Sequence, residues 1–138
     1  MFLYNLFDLK RARWEGADAL TPGKHTLEFD FKYDGLGAGT LAFNNVSGIG
    51  RGGTGVLKVD GKEVAQQTIE HTMPLTMQWD ENFDIGADTG TPVSDDYQVP
   101  FKFSGTLGKL PLKIDRPTLT QEGIEKLKEA TRNNRAAE

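Results

Sequence analysis

The sequence predicts an all-β protein: an antiparallel β-sandwich over residues 1–115, followed by a helical tail over 116–138. Three observations carry that expectation. Residues 24–34, KHTLEFDFKYD, alternate: His25, Leu27, Phe29, Phe31 and Tyr33 fall on one side, and Thr26, Glu28, Asp30 and Lys32 on the other. A period of two marks a strand with one buried and one wet face. Asp60-Gly61 then separates two alternating runs within 55–72, GVLKVDGKEVAQQTIEHT, and sets Val59 opposite Lys62. This dipeptide suits a tight hairpin turn, because glycine adopts positive φ at little cost. Lastly, the 16 glycines cluster at 35–55 and 86–90 and recur singly at turns, as in all-β chains with many short connections.

The other elements follow in order. Pro22-Gly23 is a reversal ahead of the strand at 24–34. Shorter strands are expected at 2–7 (FLYNLF), 10–14 (KRARW), 74–79 (PLTMQW), 99–104 (VPFKFS) and 109–114 (KLPLKI). Pro100 and Pro111 push their strands toward an edge or a bulge, since proline donates no ladder hydrogen bond. Residues 34–55, with their centre at 37–51, read as one long loop that carries Leu41, Phe43, Val46 and Ile49. Loops of this length are usually functional, mobile or docked. Asp115-Arg116-Pro117 ends the β region. Thr120 is placed to cap a helix whose first turn holds Glu122. Leu119 and Ile124 have the spacing of a hydrophobic staple. Ile124, Leu127 and Ala130 form a narrow apolar stripe, and residues 133–138 should fray.

Composition narrows the function classes. A chain of 138 residues fits one domain. A net charge of −4 and a pI near 5.2 argue against nonspecific nucleic-acid binding, which requires a basic surface. No apolar run approaches the ~18 residues of a membrane span, and the N-terminal MFLYNLFDLK lacks the basic start of a signal peptide. With no cysteine, disulfides, thiolate metal sites and cysteine nucleophiles are excluded. The lack of cysteine does not fix the compartment, since cytoplasmic and periplasmic proteins can both do without it.

The stretch most suggestive of chemistry is 80–97, DENFDIGADTGTPVSDDY, with Asp80, Glu81, Asp84, Asp88, Asp95 and Asp96 and no basic residue. As an EF-hand starting at Asp80 it fails, because Ile85 holds the place of the turn glycine and Thr91 that of the bidentate glutamate. A nonstandard calcium site from Asp84, Asp88, Asp95 and Asp96 is the metal reading. Against it stands the habit of loop aspartates to accept backbone N–H bonds. On that structural reading Phe83 and Ile85 anchor the segment, Gly86 and Gly90 allow sharp turns, Pro92 fixes the exit, and Asp88, Thr89 and Thr91 bond local amides. Trp14, Trp79 and Tyr97 are candidate stacking surfaces for a sugar ring, although a buried tryptophan is commoner in a sandwich. Asp84, Asp88 and His71 are the residues a small hydrolase would use. His25 shares the apolar side of its strand and reads as a rim residue rather than a base. The nucleophile elbow G-x-S-x-G is absent, and Gly35-Leu36-Gly37-Ala38-Gly39 lacks the Lys-Ser/Thr ending of a phosphate loop.

Five segments stand in one order: YNLFDLKR, LTPGKHTLEFDFKYDG, GGTGVLKVDGKEVAQQTIEHT, ENFDIGADTGTPVSDDY and VPFKFSGTLGKL. Together they resemble the C-terminal domain of the long bacterial arylsulfatases over about residues 2–115. The resemblance implies a concanavalin- or laminin-G-like jelly roll. It also implies no active site in this chain, because the family's catalytic signature (Cys or Ser, x, Pro, x, Arg) and its calcium carboxylates belong to a separate upstream domain. The nearest echo, Ser47-Gly48-Ile49-Gly50-Arg51, has isoleucine in place of the proline. The likeness begins after the family's first hairpin; either Met1 marks a trimmed boundary, or the chain is a stand-alone relative expected to cover the resulting edge with a second copy, the tail helix or the long loop. The expected role is a noncatalytic accessory module that packs on a sulfatase catalytic domain or on itself. The alternative is a carbohydrate-binding module, calcium-assisted through the acidic stretch.

Overall fold

The structure, a computed structural model, describes residues 1–34, 50–73, 83–115 and 120–136. Antiparallel strands dominate them. β1 (Phe2–Leu6) and β2 (Lys10–Trp14) form a hairpin. β3 (Leu27–Tyr33), β4 (Gly50–Val59) and β5 (Lys62–Thr72) form a sheet in that order. β6 (Ala87–Asp88) and β7 (Phe101–Lys102) make a short third pair. One helix, α1 (Gln121–Ala136), ends the described chain, and it is not long and apolar enough to cross a membrane.

The hairpin at Asp60-Gly61 forms as its dipeptide dictates. Asp60 and Gly61 take φ of 51° and 81°, and Val59 pairs with Lys62. Positive φ at both central residues matches the right-handed twist of the flanking strands. The pairing then slips: Lys58 faces Glu63 but Leu57 faces Ala65. The extra residue, Val64, is half-buried and packs against the core. The β1–β2 turn was not foreseen. It carries positive φ at Phe7 (54°) and Asp8 (57°), closed by the Leu9 N–H on the Leu6 carbonyl at 2.9 Å. Asn5 holds Asp8 there, its side-chain oxygen accepting the Asp8 N–H at 2.9 Å and its amide donating to the Asp8 carboxylate at 2.8 Å.

The core is small and aromatic. Among the described residues Trp14, Leu57 and Ile69 are the buried hydrophobics, with Tyr4, Ala12, Phe29, Val64 and Ala65 packed around them. Trp14 is 1% exposed, and its indole N–H donates to the Gly55 carbonyl at 2.7 Å. Phe29 meets the Trp14 ring edge-on at 5.0 Å and stacks on Phe2 at 3.6 Å. Side-chain bonds tie the hairpin to the three-stranded sheet. Gln67 donates to the Arg13 carbonyl at 2.7 Å, Lys10 pairs with Glu70 at 2.6 Å, and the Tyr4 hydroxyl accepts the Met73 N–H at 2.6 Å. On the wet face of β3, Lys58 bridges Glu28 at 2.8 Å and Asp30 at 2.5 Å. These contacts hold the ammonium charged and lower the Asp30 carboxyl.

Four expectations need correction. Residues 50–55 are strand, not the end of a loop: Gly50, Gly52, Gly53 and Gly55 lie in β4. At Gly53 and Gly55 the lack of a side chain lets aromatic rings lie on the backbone. A Cβ at Gly53 would come within 2.5 Å of the Phe31 ring, and one at Gly55 within 2.7 Å of Phe29 and Trp14. The strand expected at 99–104 shrinks to Phe101–Lys102. Residues 109–114 form no strand and are exposed throughout. Their alternation (Leu110, Leu112, Ile114) is that of a strand, but alternation alone supplies no neighbour. The wet-and-buried division of β3 is also incomplete, for Leu27 and Phe31 are exposed. The expected strand at 74–79, most of the long loop and Leu119 of the staple lie outside the described residues. Thr120 does cap α1: its hydroxyl accepts the Gly123 N–H at 3.1 Å, and its carbonyl accepts the Ile124 N–H at 2.9 Å. Glu122 in the first turn pairs with Lys126 at 2.6 Å.

Candidate functional site

The acidic stretch is described from Phe83 onward, and it folds around its own side chains. Gly86 takes a φ of 74°, which turns the chain into β6, where Ala87 and Asp88 pair with Lys102 and Phe101. The Asp84 carboxylate accepts from both the N–H and the hydroxyl of Thr89, each at 3.0 Å. Asp88 accepts the Gly90 N–H at 3.3 Å, and its other oxygen accepts the Tyr97 hydroxyl. Tyr97 in turn accepts the Val93 N–H at 2.9 Å. Partial burial, reinforced by the Asp88 carboxylate, raises the Tyr97 phenol above its usual value, so it stays a donor.

The second half of the stretch is strapped to the first hairpin. Arg11 and Arg13 stand two apart on β2 and therefore project to the same side. Arg11 binds Asp95 with two nitrogens, the longer contact at 3.2 Å, and reaches back to Asp8 at 2.7 Å. Arg13 binds Asp96 and lies 3.3 Å from the Ser94 hydroxyl. Ser94 is 4% exposed. Its hydroxyl donates to Asp96 at 2.6 Å and accepts the Asp96 N–H at 3.1 Å. The Ser94 bond, aided by Arg13, holds the Asp96 carboxyl below its ordinary range. Asn5 donates to the Val93 carbonyl at 3.1 Å.

These contacts place every described residue singled out from sequence. Asp84 and Asp88 bond local groups, while Asp95 and Asp96 face guanidinium groups. Among the described residues no three of the metal-binding types gather into a group fit to hold an ion. Trp14 offers no ring face to solvent. Trp79 lies outside the described residues. Tyr97 is half-buried, its ring tilted against Phe101 at 5.1 Å. His71 is exposed on β5 opposite Arg51, in a different sheet from Asp88. Phe83 and Ile85 do not anchor the loop; both are exposed. The anchors are Asp84, Asp88, Tyr97, Ser94 and the two arginines.

Beside the stretch runs an open groove of about 620 Å³, walled by Phe83, Val93, Tyr97, Phe101, Phe103 and Leu107, with Asp84 and Asp88 also lining it. It is mainly apolar, and its two carboxylates already accept hydrogen bonds from the protein. Sequence reading missed this groove and the part played by Arg11 and Arg13. The available signal was two arginines at a spacing of two, in a chain whose acids crowd one segment.

No protein-family model, curated protein or solved structure matches this chain.

Proposed function

We propose that this chain is a noncatalytic β-sandwich module of the kind that closes the long bacterial arylsulfatases, and that it works by packing on a catalytic domain. The sequence support is the ordered run of five segments ending in ENFDIGADTGTPVSDDY and VPFKFSGTLGKL. The single observation that carries the docking role is the set of large apolar side chains left exposed at the groove and in the segment that follows it in sequence. Phe83, Phe101, Phe103 and Leu107 are exposed, and so are Leu110 (58%), Leu112 (71%) and Ile114 (79%). Large apolar patches are rare on monomeric soluble proteins unless something binds them. The acids that would otherwise invite a catalytic reading fasten the 83–97 loop to itself and to β2, which keeps that surface in shape.

An antibody raised against the chain should precipitate activity toward 4-nitrophenyl sulfate from the source cells, in one polypeptide or one complex. The purified chain alone should not turn the ester over. Precipitates without sulfatase activity would end the arylsulfatase assignment, and turnover by the chain alone would end the noncatalytic one.

A further inference from the structure

His25 has an unusual pair of neighbours. Its Nδ1 lies 2.7 Å from an Asp60 carboxylate oxygen, and its Nε2 lies 2.8 Å from the Thr21 carbonyl. Both neighbours are acceptors only. A neutral imidazole carries one N–H and one lone pair, so it can satisfy one of these contacts and must oppose the other; the imidazolium donates to both. The pair also sits at a junction. Asp60 is the first residue of the β4–β5 turn, while Thr21 and His25 bracket the Pro22-Gly23 reversal that leads into β3. The junction is closed on its other side as well: Asp60 accepts the Thr26 N–H through its second oxygen at 2.8 Å, and donates its own N–H to the Thr26 carbonyl at 2.8 Å.

We propose that His25 is a protonation-dependent clamp, which as imidazolium fastens the 21–25 reversal to the tip of the β4–β5 hairpin and as neutral imidazole releases it. The retained proton stays on the nitrogen that faces the Asp60 charge, so the contact given up is the one to the Thr21 carbonyl. Asp60 keeps its two bonds to Thr26, and the opening is confined to residues 21–25. The charged group set against the ring is Asp60; the basic neighbours on the two elements, Lys24 and Lys62, are exposed. The Asp60 bond and then the Thr21 carbonyl raise the His25 pKa above its ordinary 6.5, and the His25 bond lowers the Asp60 carboxyl. For a histidine raised in the folded state, the stabilisation is complete below the unfolded value and disappears as pH climbs through the folded one. The clamp is therefore closed in mildly acidic surroundings and opens as pH climbs through the raised folded-state value.

Histidine occurs at 25 and 71 only, so carbon–proton NMR of the imidazole rings resolves the question without a variant. His25 is expected to titrate above 6.5, and the amide shifts of Thr21 and Gly23 should follow the same midpoint. Asp60→Asn should bring that midpoint down. Across pH 6–9, Tm of the full chain should fall with rising pH, while that of His25→Gln should be flatter over the same window. A His25 midpoint at or below 6.5, amide shifts at 21–23 that ignore it, or identical pH profiles of Tm for the two proteins would each overturn the clamp.

Discussion

Glycine at 55 is dictated by two rings. Phe29 and Trp14 both lie where its side chain would begin, and the Trp14 indole N–H uses the Gly55 carbonyl as its acceptor. The position therefore serves packing and hydrogen bonding together, and neither can move without the other. Gly55→Ala should destabilise the protein by about 1–3 kcal/mol, the ordinary cost of forcing a methyl into a filled core. Denaturant melts followed by tryptophan fluorescence would measure it, since the displaced ring is Trp14 itself. Tolerance of the alanine would show that Trp14 and Phe29 are free to back away. None of this was legible in the sequence. A run of glycines between apolar residues reads as loop, because it has the flexibility of one and the side-chain periodicity of nothing. Only the partner rings, one of them forty-one residues distant, turn it into strand. By contrast, Asp60-Gly61 needed no distant partner, and the turn formed as written.

At the scale of the element, the loop at 83–97 and the hairpin of β1 and β2 form one unit. Arg11 and Arg13 supply the positive charge that the loop lacks, and Asn5 adds a bond to the Val93 carbonyl. The acidity of the stretch was plain from sequence, and so was its structural bent. Its partners were not, because an antiparallel hairpin eighty residues upstream decides which cations reach it. Within the loop, Asp88 takes bonds from Gly90 and Tyr97, and Tyr97 holds Val93. Asp88→Ala should thus cost on the order of 1–3 kcal/mol, the loss left when a partly buried hydroxyl is stranded without its acceptor. The linkage of the whole unit to pH follows from Asp8 and Asp96, whose carboxyls are held below 3.8 by Asn5 and Arg11, and by Ser94 and Arg13. Groups lowered in this way contribute stability above their unfolded value and lose it as pH falls through the folded one. Acid melts should therefore show the loop detaching only below the usual carboxylate range, with Arg13→Ala moving that midpoint upward. An unchanged midpoint in Arg13→Ala would mean that Ser94 alone holds Asp96.

Across the whole molecule the described core is three buried side chains, while a long apolar segment remains in water. Leu110, Leu112 and Ile114 are all exposed on a segment that forms no strand. They are absent from the core cluster and from its half-buried shell. Removing them should leave stability nearly intact while changing association. A net charge of −4 offers little repulsion to hold copies apart. The isolated chain should then associate with itself as concentration rises, and more so in salt, as hydrophobic contact strengthens and the residual repulsion is screened. Leu110→Asp combined with Leu112→Asp should shift sedimentation toward the monomer and leave Tm within about 1–2 °C, as expected for surface changes away from any core contact. A fall in Tm with no change in sedimentation would make this segment part of the fold, and the docking surface would have to be sought on the groove alone.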